Sequence, residues 1–323
     1  MAGIHLPNAS RRSRVALTSL AILSTAVLLS ACSGTSQPAN ESTAPAAAVH
    51  ADLAALLPAE IAESGVLSLG ALWETPPMIG VDEADTTVAV GIAPDLAAIV
   101  APLLGLTPEW QNMQWPAQLP GVLSGQVDAL WGQVTGTEER ESADYDQIPF
   151  YRTTESLLVL AENADTVEGL ASMCGLTVGV PIGSTQSEKV AAASETLCVA
   201  EGEDAIQAAE YQGATAAISA VQAGTIDAWM DNTTTQQAAV AASGDTFAAV
   251  EIPEDEVPAS FTTITVSKAV PGLAEALAGA LRAAVEDGSY QAVLDEWGVG
   301  AAALTVDEIV INPYTGLAAG ETP

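Results

Sequence analysis

The chain has 323 residues, 49% of them hydrophobic, and 41 Asp and Glu face only eight Lys and Arg, for a formal net charge of −33 at pH 7. Phosphate contacts need Lys and Arg, so nucleic acid is excluded as a partner, and so is peripheral binding to an anionic membrane surface. The hydrophobic share excludes a disordered acidic chain, and most of the acids read as a solubilising coat.

Residues 1–31 read as a secretory signal. A basic "RRSR" (11–14) precedes an apolar run, 15–30, shorter than the roughly 20 residues of a membrane-spanning helix. The ending "LSAC" (29–32) resembles a bacterial lipobox, in which the cysteine is lipidated and becomes the first mature residue. This predicts a membrane anchor at Cys32 on the outer face of the cell membrane. Arg14 stands where a twin-arginine signal favours an apolar residue, so the export route is left open. Residues 33–49, "SGTSQPANESTAPAAAV", are small, polar and Pro-bearing and have too little apolar surface to fold. A flexible linker is expected over 32–55.

Helical and strand patterns then alternate. "GVLSLGAL" (65–72) is a predicted strand and "APDLAAIVAPLLG" (93–105) a helix with Asp95 near its start. "PAQLPGVL" (116–123) is a helix that leads into "SGQVDALWGQ" (124–133). "ATAAISAVQ" (214–222) leads in the same way into "AGTIDAWMDN" (223–232). In both units a glycine ends the helix and a short apolar strand follows Asp-Ala. "SLLVLAE" (156–162) and "FTTITVSK" (261–268) read as strands. Residues 176–194 read as strand, loop and helix, and 272–288 as a helix ending at a glycine. The alternation predicts an α/β fold with largely parallel sheets, whose ligands sit beyond the carboxyl ends of the strands. Gly132, Gln133 and Thr135 of one unit and Asp231 and Asn232 of the other are then expected at a crevice. Asp128 and Asp227, at the strand starts, are expected in turn or helix-end hydrogen bonds. Trp131 and Trp229 read as core.

Once the three arginines of the signal are set aside, Arg140 is one of five cations. A surface salt bridge to Glu138, Glu139 or Glu141 would be its ordinary use. Three elements at predicted strand ends favour a binding role instead. Arg140 stands with Thr135 and Thr137; "GSTQ" (183–186) opens a helix, with Ser184 and Thr185 at its anion-attracting start; Asp231 ends a strand. A guanidinium suits a carboxylate and Asp231 suits an ammonium, so the crevice fits a small zwitterion of the amino-acid kind. No zinc, haem, iron–sulfur, P-loop or dinucleotide pattern occurs, so no metal or cofactor is expected. Cys174 and Cys198 are an even pair in an exported chain, and a disulfide is expected; free thiols or metal ligands are the alternative.

The chain resembles the family 3 extracellular solute-binding proteins of bacterial ABC importers, the polar amino-acid group. The motifs are "GALWETPPM" (70–78), "VGIAPDLAAIVAPLLGL" (90–106), "QWPAQLPGVLSGQVDAL" (114–130), "VTGTEERESADYDQIPFY" (134–151), "VGVPIGSTQ" (178–186), "GTIDAWMD" (224–231) and "EDGSYQAVLDEWG" (286–298). The resemblance implies a two-lobe, type II periplasmic-binding-protein-like fold with two crossover strands as hinge. Lobe 1 would take 56–154 and 261–312, lobe 2 155–260, and a flexible tail 313–323. It implies a monomer that hands an amino acid to a membrane permease and catalyses nothing. Arg140, Thr135 and the Ser184–Thr185 loop would hold the α-carboxylate; Asp231, with groups near Gln133, would hold the α-ammonium. Actinobacterial members share a cysteine pair around the same strand, which suits Cys174 and Cys198. Three positions depart from the pattern. Thr75 replaces the aromatic before the prolines, leaving Trp73 as the nearest one; Gln133 stands where Gly or Ser is usual; Met78 replaces Phe. Specificity therefore does not transfer. Glu74 reads as a solvated loop acid, with a cationic ligand as the alternative. Two other functions compete: a cleft enzyme on the same fold, resembling cyclohexadienyl dehydratase, and an amino-acid-sensing lipoprotein that feeds no transporter. No nucleophile–base pair is evident, with His5 and His50 both expected outside the folded region.

Overall fold

A computed structural model describes residues 48–316. The signal, Cys32 and most of the linker lie outside the described residues, as do residues 317–323.

Lobe 1 opens with the short helices α1 (Ala51–Ala54) and α2 (Ala59–Ser64). Strand β1 (Val66–Ala71), the ribbon β2 (Gly80–Val81) and β3 (Ala89–Val90), and helix α3 (Ile92–Leu103) follow. Then come β4 (Thr107–Asn112), α4 (Trp115–Leu123), β5 (Ala129–Thr135), α5 (Glu138–Ser142) and the long strand β6 (Tyr145–Thr153). Lobe 2 holds β7 (Glu155–Leu160), β8 (Thr177–Pro181), α6 (Thr185–Ala193), β9 (Gln207–Tyr211), α7 (Ala214–Gln222), β10 (Ala228–Asn232), α8 (Thr233–Ser243) and β11 (Phe247–Glu251). The chain returns to lobe 1 through β12 (Ser260–Ser267), α9 (Leu273–Glu286) and α10 (Ser289–Glu296).

The sheets run β4-β1-β5-β12-β6 in lobe 1 and β11-β7-β10-β8-β9 in lobe 2. They are mixed rather than largely parallel. The β1 pairs with β4 and β5 are parallel, while β12 is antiparallel to both β5 and β6. In lobe 2, β8 is parallel to β9 and β10, while β7 is antiparallel to β10 and β11. The departure comes from the strands that carry the chain between the sheets. β6 and β7 are separated only by Thr154, so β7 enters the second sheet against the direction of the helix-linked strands.

The repeated helix–strand unit has a shared anchor. Asp128 Oδ2 accepts from Ser68 N, and Asp227 Oδ2 accepts from Thr177 N, both at 2.8 Å. In return Asp128 N donates to Ser68 O and Asp227 N to Thr177 O, both at 2.9 Å. Each aspartate therefore starts its strand by clamping the parallel neighbour, and not by a turn of its own.

The lobe 1 core lies between its sheet and α3, α9 and α10. α3 buries Ile92, Leu96, Val100 and Leu103, spaced four, four and three residues apart, which puts them on one face. Its start requires glycine: Gly91 has φ +136°, and a Cβ there would meet the carbonyl oxygens of Pro77 and Met78 at 2.7 Å. The alanine-rich face of α9, including Ala276, Ala280 and Ala284, lets that helix sit close against its neighbours. In lobe 2 the cystine Cys174–Cys198, with a Cα–Cα distance of 5.5 Å, sits at the edge of the core and ties the turn before β8 to the helical turn Ser194–Cys198 that follows α6.

Both ends of the fold reach further than the sequence indicated. Residues 51–54, expected as linker, form α1, and His50 N donates to Leu103 O at 2.8 Å. Leu53 packs where a Cβ on Gly279 would lie 2.5 Å from it, so the small residue on α9 leaves room for an apolar side chain of α1. Residues 313–316, expected to begin a flexible tail, pack onto lobe 1, with Tyr314 against the main core.

Candidate functional site

β5 ends at Thr135, and a two-residue loop leads to α5. The Thr137 hydroxyl accepts from Arg140 N at 3.2 Å, capping the helix. That cap sets the first turn and directs the Arg140 side chain back over the end of β5. Its Nη1 donates to the Thr135 carbonyl at 2.5 Å. Its guanidinium lies 5.5 Å from the centre of the Trp115 ring, a cation–π distance. Among the described residues Arg140 forms no salt bridge, so the surface pairing with its glutamate neighbours is not made. Glu141 turns inward instead and is 1% exposed. Burial lowers the Arg140 pKa from its ordinary value, while the negative potentials of Glu188, Glu139 and Tyr145 act against that shift. Such a group stays charged, so the result is a half-buried cation with a partly unsatisfied fork.

Lobe 2 brings two features to face it. β8 ends in a turn with Gly183 at φ +63°, and the Ser184 hydroxyl accepts from Ser187 N at 3.4 Å to cap α6. The first backbone N–H groups of α6 have no intrahelical partner and favour an anion. Next to the last residue of β10 stands Asp231, 6% exposed, whose Oδ1 accepts from Asn232 N at 2.8 Å. No cation of the described residues pairs with Asp231. Burial pushes its pKa up to about 7; the Asn232 N–H opposes this, and nearby Glu155 adds to it. The Trp229 indole also favours the ionised form, yet its Nε1 is buried without a well-formed hydrogen bond. Behind them Glu155 accepts from Lys189 Nζ at 2.6 Å and from Gln186 Nε2 at 3.2 Å.

Seven of the eight binding residues named from the sequence line one cleft: Thr75, Gln133, Thr135, Arg140, Ser184, Thr185 and Asp231. It spans about 600 Å³ with its open mouth included. Trp73 does not line it. Leu72, just past the end of β1, lines the cleft, while Trp73 lies in the turn that follows and packs with Ala71 and Ile79. Thr137 acts as the helix cap rather than as a cleft hydroxyl. Trp229 is core, as read, packing with Leu158, Val221 and Phe247, and it also backs the cleft wall. Its position two residues before Asp231 on one strand was the signal for that. Trp115, Gln186 and Gln212 also line the cleft and carried no signal of their own. Away from the hinge at Thr154, Gln133 Nε2 of lobe 1 donates to Thr235 Oγ1 of lobe 2 at 2.5 Å, and Thr215 Oγ1 of lobe 2 donates to Glu74 Oε2 of lobe 1 at 3.4 Å.

Residues 67–300 match the bacterial extracellular solute-binding proteins, family 3. The chain belongs to that family. A curated relative, the arginine-binding protein ArgT of Corynebacterium glutamicum, is 28% identical over 265 residues, which is 81% of this chain and 83% of the relative. Among solved structures, an ancestral arginine-binding protein bound to glutamine is 25% identical, with a TM-score of 0.63 over 73% of this chain and 98% of that one. The ancestral amino-acid-binding protein AncCDT-1, a precursor of cyclohexadienyl dehydratase, shares the fold at 22% identity and a TM-score of 0.62, over 74% and 97% of the two chains. The two lobes and their mixed sheets are those of a type II periplasmic binding protein. Among the described residues no helix is long and apolar enough to cross a membrane, and no group of three or more His, Cys, Asp and Glu is placed to hold a metal.

Proposed function

We infer that the cleft binds an amino acid between Arg140 and Asp231 and that the protein delivers it to the permease of an ABC importer. One observation carries this reading. A desolvated cation without a carboxylate and a buried carboxylate without a cation stand on opposite walls of the same cleft. Leaving such charges unpaired is costly, and a zwitterion satisfies both at once. The α-carboxylate bonds to Arg140, Thr135 and the start of α6; the α-ammonium bonds to Asp231. The relatives' names favour arginine or a similar cation as the ligand. Glu74 supports this, because it reaches to 3.4 Å from Thr215 and would lie 3.2 Å from a Cβ on the cleft residue Gly213. The protein acts as a monomer held to the membrane by a lipid on Cys32.

A thermal-shift screen of the twenty common amino acids tests the ligand class, with arginine expected to give the largest shift. A ligand at a hundred times its dissociation constant adds about 2.7 kcal/mol of stability. Arg140→Ala should fold normally and lose binding by calorimetry, whereas an unchanged affinity would sink the site assignment. The enzyme reading draws on the Asp231 pKa of about 7, which suits a general acid or base. Recovery of the bound amino acid chemically unchanged after long incubation is the outcome expected of a transport receptor; conversion to a product favours the enzyme.

A further inference from the structure

The family match ends at residue 300, yet the chain continues as an ordered segment to 316. Its last turn grips the loop and helix that present Arg140. Glu141, next to Arg140 in α5, accepts from Tyr314 N at 3.1 Å and from Thr315 N at 2.6 Å. The Tyr314 ring lies where a Cβ on Gly136 would be 2.5 Å from it, so the loop before α5 rests on that ring. The Tyr314 hydroxyl accepts from Phe261 N at 2.9 Å, fixing the ring in turn.

A second line of contact runs through Gln147, which is fully buried on β6. Asn312 pairs with its backbone in both directions: Asn312 N donates to Gln147 O and Gln147 N donates to Asn312 Oδ1, each at 2.8 Å. The Gln147 side chain then holds the Arg140 loop. Its Oε1 accepts from Thr137 N at 2.9 Å, and its Nε2 donates to the Thr135 carbonyl at 3.4 Å. That carbonyl is the one that receives Arg140 Nη1.

The scarce cations gather in the same place. Arg152 pairs with Glu308 at 2.5 Å, Arg282 Nε donates to Ile309 O at 2.8 Å, and Lys268 Nζ donates to the carbonyls of Glu141 and Ala143. Three of the five cations beyond the signal thus hold this segment or the helix it grips.

We propose that residues 312–315 form a positioning strap that holds Arg140 in its carboxylate-binding geometry from behind the cleft. The proposal rests on Arg140 as the carboxylate ligand. Tyr314 and Asn312 are positioning residues and touch no ligand. A bidentate guanidinium–carboxylate contact depends on fork geometry, so a loosened loop weakens recognition of the carboxylate without removing the charge.

The test compares each amino acid that binds with the amine lacking its α-carboxylate, agmatine for arginine or histamine for histidine. Wild type, Arg140→Ala, Tyr314→Ala, Tyr314→Phe and Asn312→Gly are measured by calorimetry in the full-length chain. Glycine tolerates the positive φ of Asn312 (57°), so the backbone path is kept. The amino acid should bind Tyr314→Ala and Asn312→Gly roughly ten- to a hundredfold more weakly, as expected for losing a charge-assisted bond. Amine affinity should stay within about twofold, and Tyr314→Phe, which keeps the ring, should recover most of the loss. A merely destabilised fold would lower both affinities together, and that outcome overturns the strap, as does wild-type discrimination in Tyr314→Ala. If Arg140→Ala itself keeps the preference for the amino acid over the amine, the carboxylate assignment fails first and the strap falls with it.

Discussion

Asp231 decides how the cleft responds to pH. Its pKa of about 7 stands well above the ordinary 3.8, with burial as the first cause. In the ligand-free protein the neutral form therefore prevails below pH 7 and the ionised form above it. The stability that this group contributes is full below about 3.8 and is lost as pH rises through about 7. An ammonium ligand needs the ionised form, so the sign for binding is the opposite. Affinity should rise with pH through 7 and be about tenfold weaker at pH 6 than at pH 8, with proton release on binding at the lower pH. Calorimetry in two buffers of different ionisation enthalpy reads this directly; an affinity flat across that range would remove Asp231 from the ammonium site. Arg140 and Asp231 were both legible from strand-end position and charge. Trp73 was misplaced because chemical type does not say which way a turn directs a side chain.

The elements owe their positions to local clamps. Asp128 and Asp227 start equivalent strands by the same exchange with a parallel neighbour, and this makes the two repeated units alike in structure as well as in sequence. The cystine belongs to this scale. Cys174 and Cys198 are separated by 24 residues, and a loop of that size adds about 3 kcal/mol in the chain-entropy model. Cys174→Ser/Cys198→Ser should lower the free energy of unfolding in urea by about that amount while leaving amino-acid affinity little changed, since neither cysteine lines the cleft. Helices α3 and α9 were readable from apolar spacing, and α10 from the family resemblance. The mixed strand direction was not, because strand polarity depends on where the chain crosses between sheets and not on the residues within a strand.

The whole molecule is an acidic two-lobe body whose few cations have assigned places. Arg140 faces the cleft, Lys189 pairs with Glu155, and the other three serve the strap and its neighbours. Such a body has no electrostatic attraction to an anionic membrane, so the membrane attachment proposed above rests on the lipid at Cys32 alone. Cys32→Ala should move the protein from the membrane fraction to the medium of the producing cell; retention in the membrane fraction would refute the lipid anchor.

By itself the sequence determined the family, the repeated helix–strand units, the charges that converge at the strand ends and the cysteine pair. These are encoded by neighbours within a few turns of chain: apolar periodicity, glycine stops, helix caps. Only the tertiary structure decided the remainder. Gln133 meets Thr235, 102 residues away, and Thr315 meets Glu141 across 174. No local pattern encodes such pairs, because they exist only after two sheets and a returning C-terminal segment have packed. The cleft wall and the strap behind Arg140 are made of contacts of this kind, and for that reason neither was visible before the fold was.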